Sequence, residues 1–369
     1  MPEETLLYAK NLVKGYPVKA GGFAAGGEKI HAVNGVSFGI PANRTLGLVG
    51  ESGCGKTTTA RLLLRVVEPD GGRLYFDQAP EKTEALERLE AALFREADPR
   101  RRTALEKEAE ALREGVDFFS YRADRLKRER LKMQYIFQDP TLSLDPKMQI
   151  REIVTEPLVE NGLVPHGERD REAGKILEVV GIPASGLRKY PHEFSGGQRQ
   201  RISIARAIAG HPKLVICDEP VSSLDVSIQS QILNLLLDIQ KEYRVSYLFI
   251  AHNLAVVFYI SDEIAVMYTG KIVERAPARQ LYLRPLHPYT QLLISVIPEL
   301  GKKKDITRLS REGEPPSLIH LPPGCTFYDR CPRRLEICQA ETPGLEQKRP
   351  GHLCACFAVA RQVYPSSSS

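Results

Sequence analysis

Three short apolar runs stand out along the chain: Thr45–Val49, Leu214–Cys217 and Tyr247–Ile250. Each has the length of a buried strand, and each is followed at once by polar residues. The first leads into Gly50-Glu51-Ser52-Gly53-Cys54-Gly55-Lys56-Thr57, the second into Asp218-Glu219-Pro220 and the third into Ala251-His252-Asn253. Such runs, separated by helical stretches, predict a parallel sheet with helices on its faces and polar residues gathered at the strand ends. Residues 264–274 alternate in character on both sides of Thr269-Gly270, which predicts a hairpin. The fold class is therefore α/β with an antiparallel flank.

Residues 79–131 are charged and helix-prone. Leu86, Leu89 and Leu93 share one face, Leu105, Ala109 and Leu112 share another, and Asp98-Pro99 breaks the run. Two amphipathic helices folded back on each other are expected, either as a solvated accessory hairpin or as a docking site for a partner. After about residue 276 prolines become dense, from Pro277 through Pro323. This predicts an appended, loop-rich module over 276–361 with one short helix near 290–297. The tail, 362–369, is expected to be disordered.

A length of 369 residues, at roughly 150 per domain, suggests two to three folding units. The 42% hydrophobic share is enough for a full core, which excludes wholesale disorder. No apolar stretch approaches the roughly 20 residues that cross a bilayer, and the acidic start lacks an apolar signal region, so a cytosolic chain is expected. A net charge of +5 makes neither nucleic acid nor anionic lipid an obligatory partner.

The glycine-rich segment matches GxxxxGK[ST] in every fixed position. Glycines let the backbone curl so that successive N–H groups converge on phosphate oxygens, and the following helix turns its positive end the same way. Gly50, Ser52, Gly53, Cys54, Gly55, Lys56, Thr57 and Thr58 are the candidate phosphate contacts. Lys56 is placed to reach the β- and γ-phosphates and Thr57 to ligate Mg²⁺. Cys54 reads as a small loop residue, because no base stands near it in sequence. Asp218, at a strand end, suits Mg²⁺, and Glu219 beside it suits a base that orients water. His252 closes the neighbouring run. A second glycine-loosened helix start, Ser195-Gly196-Gly197-Gln198, offers another anion site. Two such ends in one chain suggest a head-to-tail dimer with each nucleotide held between the loop of one copy and the second helix of the other.

These motifs, with Gln138 in IFQDP and Ser223-Leu224-Asp225, occur in an order that resembles the ATP-binding subunits of ABC transporters over about residues 5–275. The resemblance implies an ABC cassette: a P-loop NTPase core with an antiparallel β flank and an α-helical subdomain over about 139–193. It also implies ATP and Mg²⁺, with the metal held by Thr57, Gln138 and Asp218. Tyr16 matches the aromatic that stacks on adenine, and Ser195, Gly196, Gly197 and Gln198 the signature that closes over the opposite nucleotide. Asp225 matches the acid that communicates across the dimer, Glu219 the water-activating glutamate and His252 the switch histidine. Asn253 stands where the family more often has Asp, and Ser223 replaces a commoner Ala.

His287-Pro288-Tyr289-Thr290, Gly313-Glu314-Pro315-Pro316-Ser317 and GCTFYDRCP are similar to the C-terminal extension of dipeptide/oligopeptide importer ATPases. GYPVKAGGF and LCACF are most similar to their F-type subunit. This implies an ATPase coupled to peptide uptake at the cytoplasmic face of the cell membrane. Its implied partners are a dissimilar D-type ATPase in a heterodimer, two transmembrane permeases and an extracytoplasmic binding protein, with no nucleic acid. The same engine for nickel, glutathione or an oligosaccharide is an alternative. A soluble ABC ATPase acting on nucleic acid is a more distant one, favoured only by the 79–131 insert.

Five cysteines crowd into Cys325–Cys356. Their spacings are not the C-x₂-C pairs of most structural zinc sites. The family resemblance implies a structural [4Fe–4S] cluster on Cys325, Cys331, Cys338 and Cys356, leaving Cys354 out. Zinc on four of these thiols, or free thiols, are the alternatives.

Overall fold

The computed structural model describes residues 5–18, 28–297 and 314–360. In chain order the strands are β1 (Thr5–Pro17), β2 (Lys29–Pro41), β3 (Thr45–Val49), β4 (Gly71–Phe76), β5 (Met133–Ile136), β6 (Leu214–Asp218), β7 (Ser246–Ile250), β8 (Glu263–Tyr268), β9 (Lys271–Pro277), β10 (Glu346–Arg349) and β11 (His352–Cys354). The three apolar runs become β3, β6 and β7, each buried at every position, as strands covered on both faces must be.

The main sheet has the order β10-β11-β9-β8-β3-β7-β6-β5. From β8 to β5 it is parallel, and β9 returns antiparallel to β8 across Thr269-Gly270. Both turn residues have positive φ, 43° and 78°, the geometry of a tight hairpin. Because β3, β6 and β7 are parallel, Gly50, Asp218-Glu219 and His252 all emerge from the same edge, where open α/β sheets collect ligands.

Alternation along the central strands divides the interior into two cores. Leu48, Ile216 and Ile250 face a cluster with Leu12, Phe38 and Leu62. Val49, Val215 and Phe249 face the other way, toward Val154, Leu177 and Ile204 of the helices between β5 and β6. The first core is closed by a second sheet, β2-β1-β4, fully antiparallel. Pattern reading does not find this sheet. The register of β1 shifts around Ala9–Val13, where Asn11 takes φ 50°, and each bulge resets the two-residue period.

Helices Pro80–Arg95 and Pro99–Val116 fold back on each other, with Asp98 accepting from the Arg100 N–H at 2.9 Å to start the second. Leu86, Ala109 and Val116 pack with Tyr75 of β4 as a small separate core. Leu86 is fully buried there, so Leu86→Ala is expected to cost about 2–5 kcal/mol of local stability. Hydrogen exchange measured across 80–116 should rise sharply in this variant. Unchanged exchange would mean that the hairpin does not depend on this core.

The C-terminal part is less detached than its composition suggests. Helix Pro288–Ser295 is started by His287, whose Nδ1 accepts from the Tyr289 N–H at 3.1 Å, and strands β10 and β11 extend the main sheet beyond β9. Fully buried Glu274 of β9 accepts from the N–H groups of Leu286 and His287, at 2.7 and 2.8 Å, and pairs with His352 of β11 at 2.6 Å. Gly313, part of the GYPVKAGGF segment and the 362–369 tail lie outside the described residues.

Candidate nucleotide site

The phosphate loop joins β3 to helix Lys56–Leu63. Gly55 has φ 107°, and a Cβ there would collide with the carbonyl oxygen of Ala32, so only glycine fits. The Lys56 side chain lies inside the loop and donates to the carbonyls of Gly50 at 2.7 Å and Glu51 at 2.9 Å. Burial raises the Cys54 thiol pKa despite the nearby Lys56, so Cys54 stays neutral and serves as a packing residue.

At the end of β6, Asp218 is buried and accepts from the Thr57 hydroxyl at 3.2 Å and the Tyr135 hydroxyl at 2.6 Å. A carboxylate and a hydroxyl side by side form the hard-oxygen donor set that Mg²⁺ takes beside substrate phosphates. Glu219 follows at φ 50°, a conformation unusual for a non-glycine residue, with its N–H held by the carbonyl of Ile250 at 2.8 Å. Asp218 and Glu219 both line one cavity of about 930 Å³. Oε2 of Glu219 accepts from Gln138 Nε2 at 3.3 Å and lies 3.1 Å from Nδ1 of His252. Three residues from three strand ends thus meet at one oxygen.

Two cavities share these groups: one of about 440 Å³, and the one of about 930 Å³ that Thr57, Gln138, Glu219 and His252 also line together with Asp218 and Tyr135. Tyr16, Gln138, Glu219, His252, Ser52, Gly53, Gly55, Lys56, Thr57 and Thr58 all line the smaller one. Its volume and its mix of an aromatic side chain with polar groups suit a nucleotide. Ser195, Gly196, Gly197, Gln198 and Asp225 are not among its lining residues. They form a second set. Ser195 caps helix Gly196–Ile208, its Oγ accepting from the Gln198 N–H at 3.3 Å while Gln198 Oε1 accepts from the Ser195 N–H at 3.0 Å. Asp225 caps helix Val226–Tyr243, accepting from the Ser227 hydroxyl and the Ile228 N–H. These bonds hold its carboxyl below the ordinary range and keep it ionised.

Two contributors escape sequence reasoning. Tyr135 was readable only as a hydroxyl in the otherwise apolar end of β5. Glu51 of the phosphate loop, paired with Arg330 at 2.8 Å, sits 279 residues away in sequence and leaves no local signal.

The iron–sulfur expectation is corrected. Among the described residues, no group of three or more His, Cys, Asp or Glu is arranged to hold a metal ion. All seven cysteines are free thiols. Cys325, Cys331, Cys338 and Cys356 do line one cavity, but its volume of about 10 Å³ is at most that of a single water. Burial pushes the Cys325 thiol up to about 11 and also raises Cys331 and Cys356. The cysteines pack the module together as small apolar residues.

Residues 33–222 match the ABC transporter family. The chain belongs to it. This ABC chain also matches, over residues 273–338, the family described as oligopeptide/dipeptide transporter, C-terminal region. It is 38% identical to the oligopeptide transport ATP-binding protein AppF of Bacillus subtilis, over 96% of this chain and 97% of that one. It is 40% identical to the dipeptide transport ATP-binding protein DppF of Escherichia coli, over 98% and 97% respectively. The ABC fold is equally plain in solved structures. The ATP-binding cassette MJ0796, solved as a dimer in a post-hydrolysis state with ADP and phosphate, superposes with a TM-score of 0.56. It is 23% identical and covers 74% of this chain and 99% of its own.

Proposed function

We infer that this chain is the ATP-hydrolysing subunit of an ABC importer, coupling ATP turnover to uptake of di- and oligopeptides through separate membrane subunits. The observation that carries the chemistry is the convergence of Gln138, Glu219 and His252 on one side of the phosphate cavity. Relatives named for oligopeptide and dipeptide transport, matched over nearly their whole length, support the cargo class.

Tyr16 stacks on the base, and the N–H groups of the phosphate loop with Lys56 hold the phosphates. Thr57, Gln138 and Asp218 would hold Mg²⁺, which when bound would neutralise phosphate charge. Glu219 accepts a proton from the attacking water as the bond between the β- and γ-phosphates breaks. His252 fixes the Glu219 carboxylate and faces the γ-phosphate. Ser195, Gly196, Gly197 and Gln198 complete the site of a second cassette placed head to tail, and Asp225 lies at the same junction. Closure on ATP and opening after hydrolysis bias the membrane partners between two states.

The partners are two permeases and an extracytoplasmic binding protein, so the chain works at the cytoplasmic face of the membrane. The second cassette is a dissimilar, D-type relative of this F-type chain. Exposed Phe137 and Leu142 flank Gln138 and suit a permease contact. Among the described residues, no helix is long and apolar enough to cross a membrane. Purification of the tagged full chain from detergent-solubilised membranes tests the assembly. Two permeases and one dissimilar ATPase should co-purify. Recovery of only a second identical ATPase would overturn the heterodimer, and recovery of nucleic acid without permeases would overturn the importer.

A further inference from the structure

The phosphate loop carries a charge of the wrong sign. Glu51 is its second residue, and a carboxylate there opposes the anionic phosphates that the loop collects. Burial is the main cause that raises the Cys54 thiol, and the Glu51 charge adds a minor part to it. Among the described residues, the ion-pair partner of Glu51 is Arg330, from the C-terminal module. The contact is a two-pronged fork: Nη1 donates to Oε2 at 2.9 Å and Nη2 to Oε1 at 2.8 Å. The Arg330 side chain is only 11% exposed and that of Glu51 29%, so this is not a solvated surface pair. The guanidinium is also seated near the rings of Phe327 and Tyr268, 5.5 and 5.9 Å from their centroids.

A second part of the module grips the same residue. The Tyr289 hydroxyl accepts the Glu51 N–H at 2.8 Å. Leu318 lines the nucleotide cavity, and its carbonyl accepts from the His31 N–H at 2.9 Å. The module therefore touches the phosphate loop at its side chain, its backbone and its rim.

We propose that Arg330 is a positioning residue of the nucleotide site: its guanidinium cancels the Glu51 charge and orients the phosphate loop, so the C-terminal module sets the loop's affinity for ATP phosphates. This rests on the nucleotide-site reading above and adds a regulatory input from outside the cassette core. Any partner or ligand that pulled Arg330 off Glu51 would weaken ATP binding without touching the nucleotide.

The test is MgATP binding to the full chain, titrated at low and high salt, for wild type, R330M, R330K, E51Q and E51Q/R330M. R330M should bind MgATP about tenfold more weakly at low salt, with the deficit shrinking as salt rises. R330K, which keeps the charge and loses the fork, should lose less than R330M. On the E51Q background, R330M should cost less than about twofold, because no carboxylate is left to neutralise. A structural prop would behave otherwise: equal losses from R330M on both backgrounds, with no salt dependence, would overturn the proposal. Wild-type affinity in R330M would overturn it too. If R330M does not fold, the comparison of E51Q/R330M with E51Q and of R330K with wild type decides: a large loss in the double variant overturns the proposal. Absence of MgATP binding by the wild type would instead sink the nucleotide reading itself.

Discussion

Glu219→Gln should bind MgATP with near-parental affinity, hold a closed dimer of cassettes and hydrolyse ATP about 100- to 10,000-fold more slowly, the range that loss of a general base covers. The amide keeps the shape of the side chain and its contact with Gln138 but cannot take up a proton at the cavity wall. The backbone should be indifferent, because the φ of 50° at this position is held by the N–H bond to Ile250 and not by the carboxylate. Single-turnover phosphate release separates the two effects, since binding and chemistry are read from different phases. Parental turnover would remove Glu219 from the chemistry. Loss of binding together with turnover would make it a phosphate-side structural residue instead.

Lys56→Ala should act on the earlier step. In the structure its ammonium group spans the loop to the Gly50 and Glu51 carbonyls, bonds that neutral alanine cannot replace. Two losses follow: the loop is no longer braced, and a cation within reach of the phosphates is gone. Charge-assisted bonds are worth about 1.5–3 kcal/mol each, so affinity for MgATP should fall roughly 10- to 100-fold. Equilibrium titration of the variant checks this, and undiminished binding would contradict the placement of the phosphates.

The parts of this site that local sequence reveals are those in which burial and chemistry share a short segment. β3, β6 and β7 read as strands because both faces are covered, and the polar residues that end them are adjacent in sequence to the runs themselves. Gly55 is legible for the same reason: a tight loop demands glycine wherever its neighbours are. What remains hidden depends on distance along the chain. Nothing near Glu51 announces Arg330, 279 residues later, and nothing near Asp218 announces the Tyr135 hydroxyl. The β2-β1-β4 sheet is obscured by bulges that break the period at Ala9–Val13. The cysteines show the opposite failure. Their crowding is real, and four of them do meet, but crowding in sequence does not reveal that the cavity they line is only about 10 Å³.

The proposed composite arrangement rests on a simple physical reason. Ser195 and Asp225 begin neighbouring helices: Gly196 lies near Leu224, and a side chain at Gly197 would strike Ile228. Their helix starts do not line the cavity of the same chain, so a second cassette is the natural recipient of that anion-binding end.

The most direct test is uptake of a labelled dipeptide into proteoliposomes that hold this chain, its second ATPase, both permeases and the loaded binding protein, with MgATP supplied on the side where the ATPases face. Accumulation that requires MgATP and vanishes in Glu219→Gln is the predicted result. Accumulation that persists in Glu219→Gln, or ATP hydrolysis that proceeds while no peptide moves, would contradict an ATP-driven peptide importer.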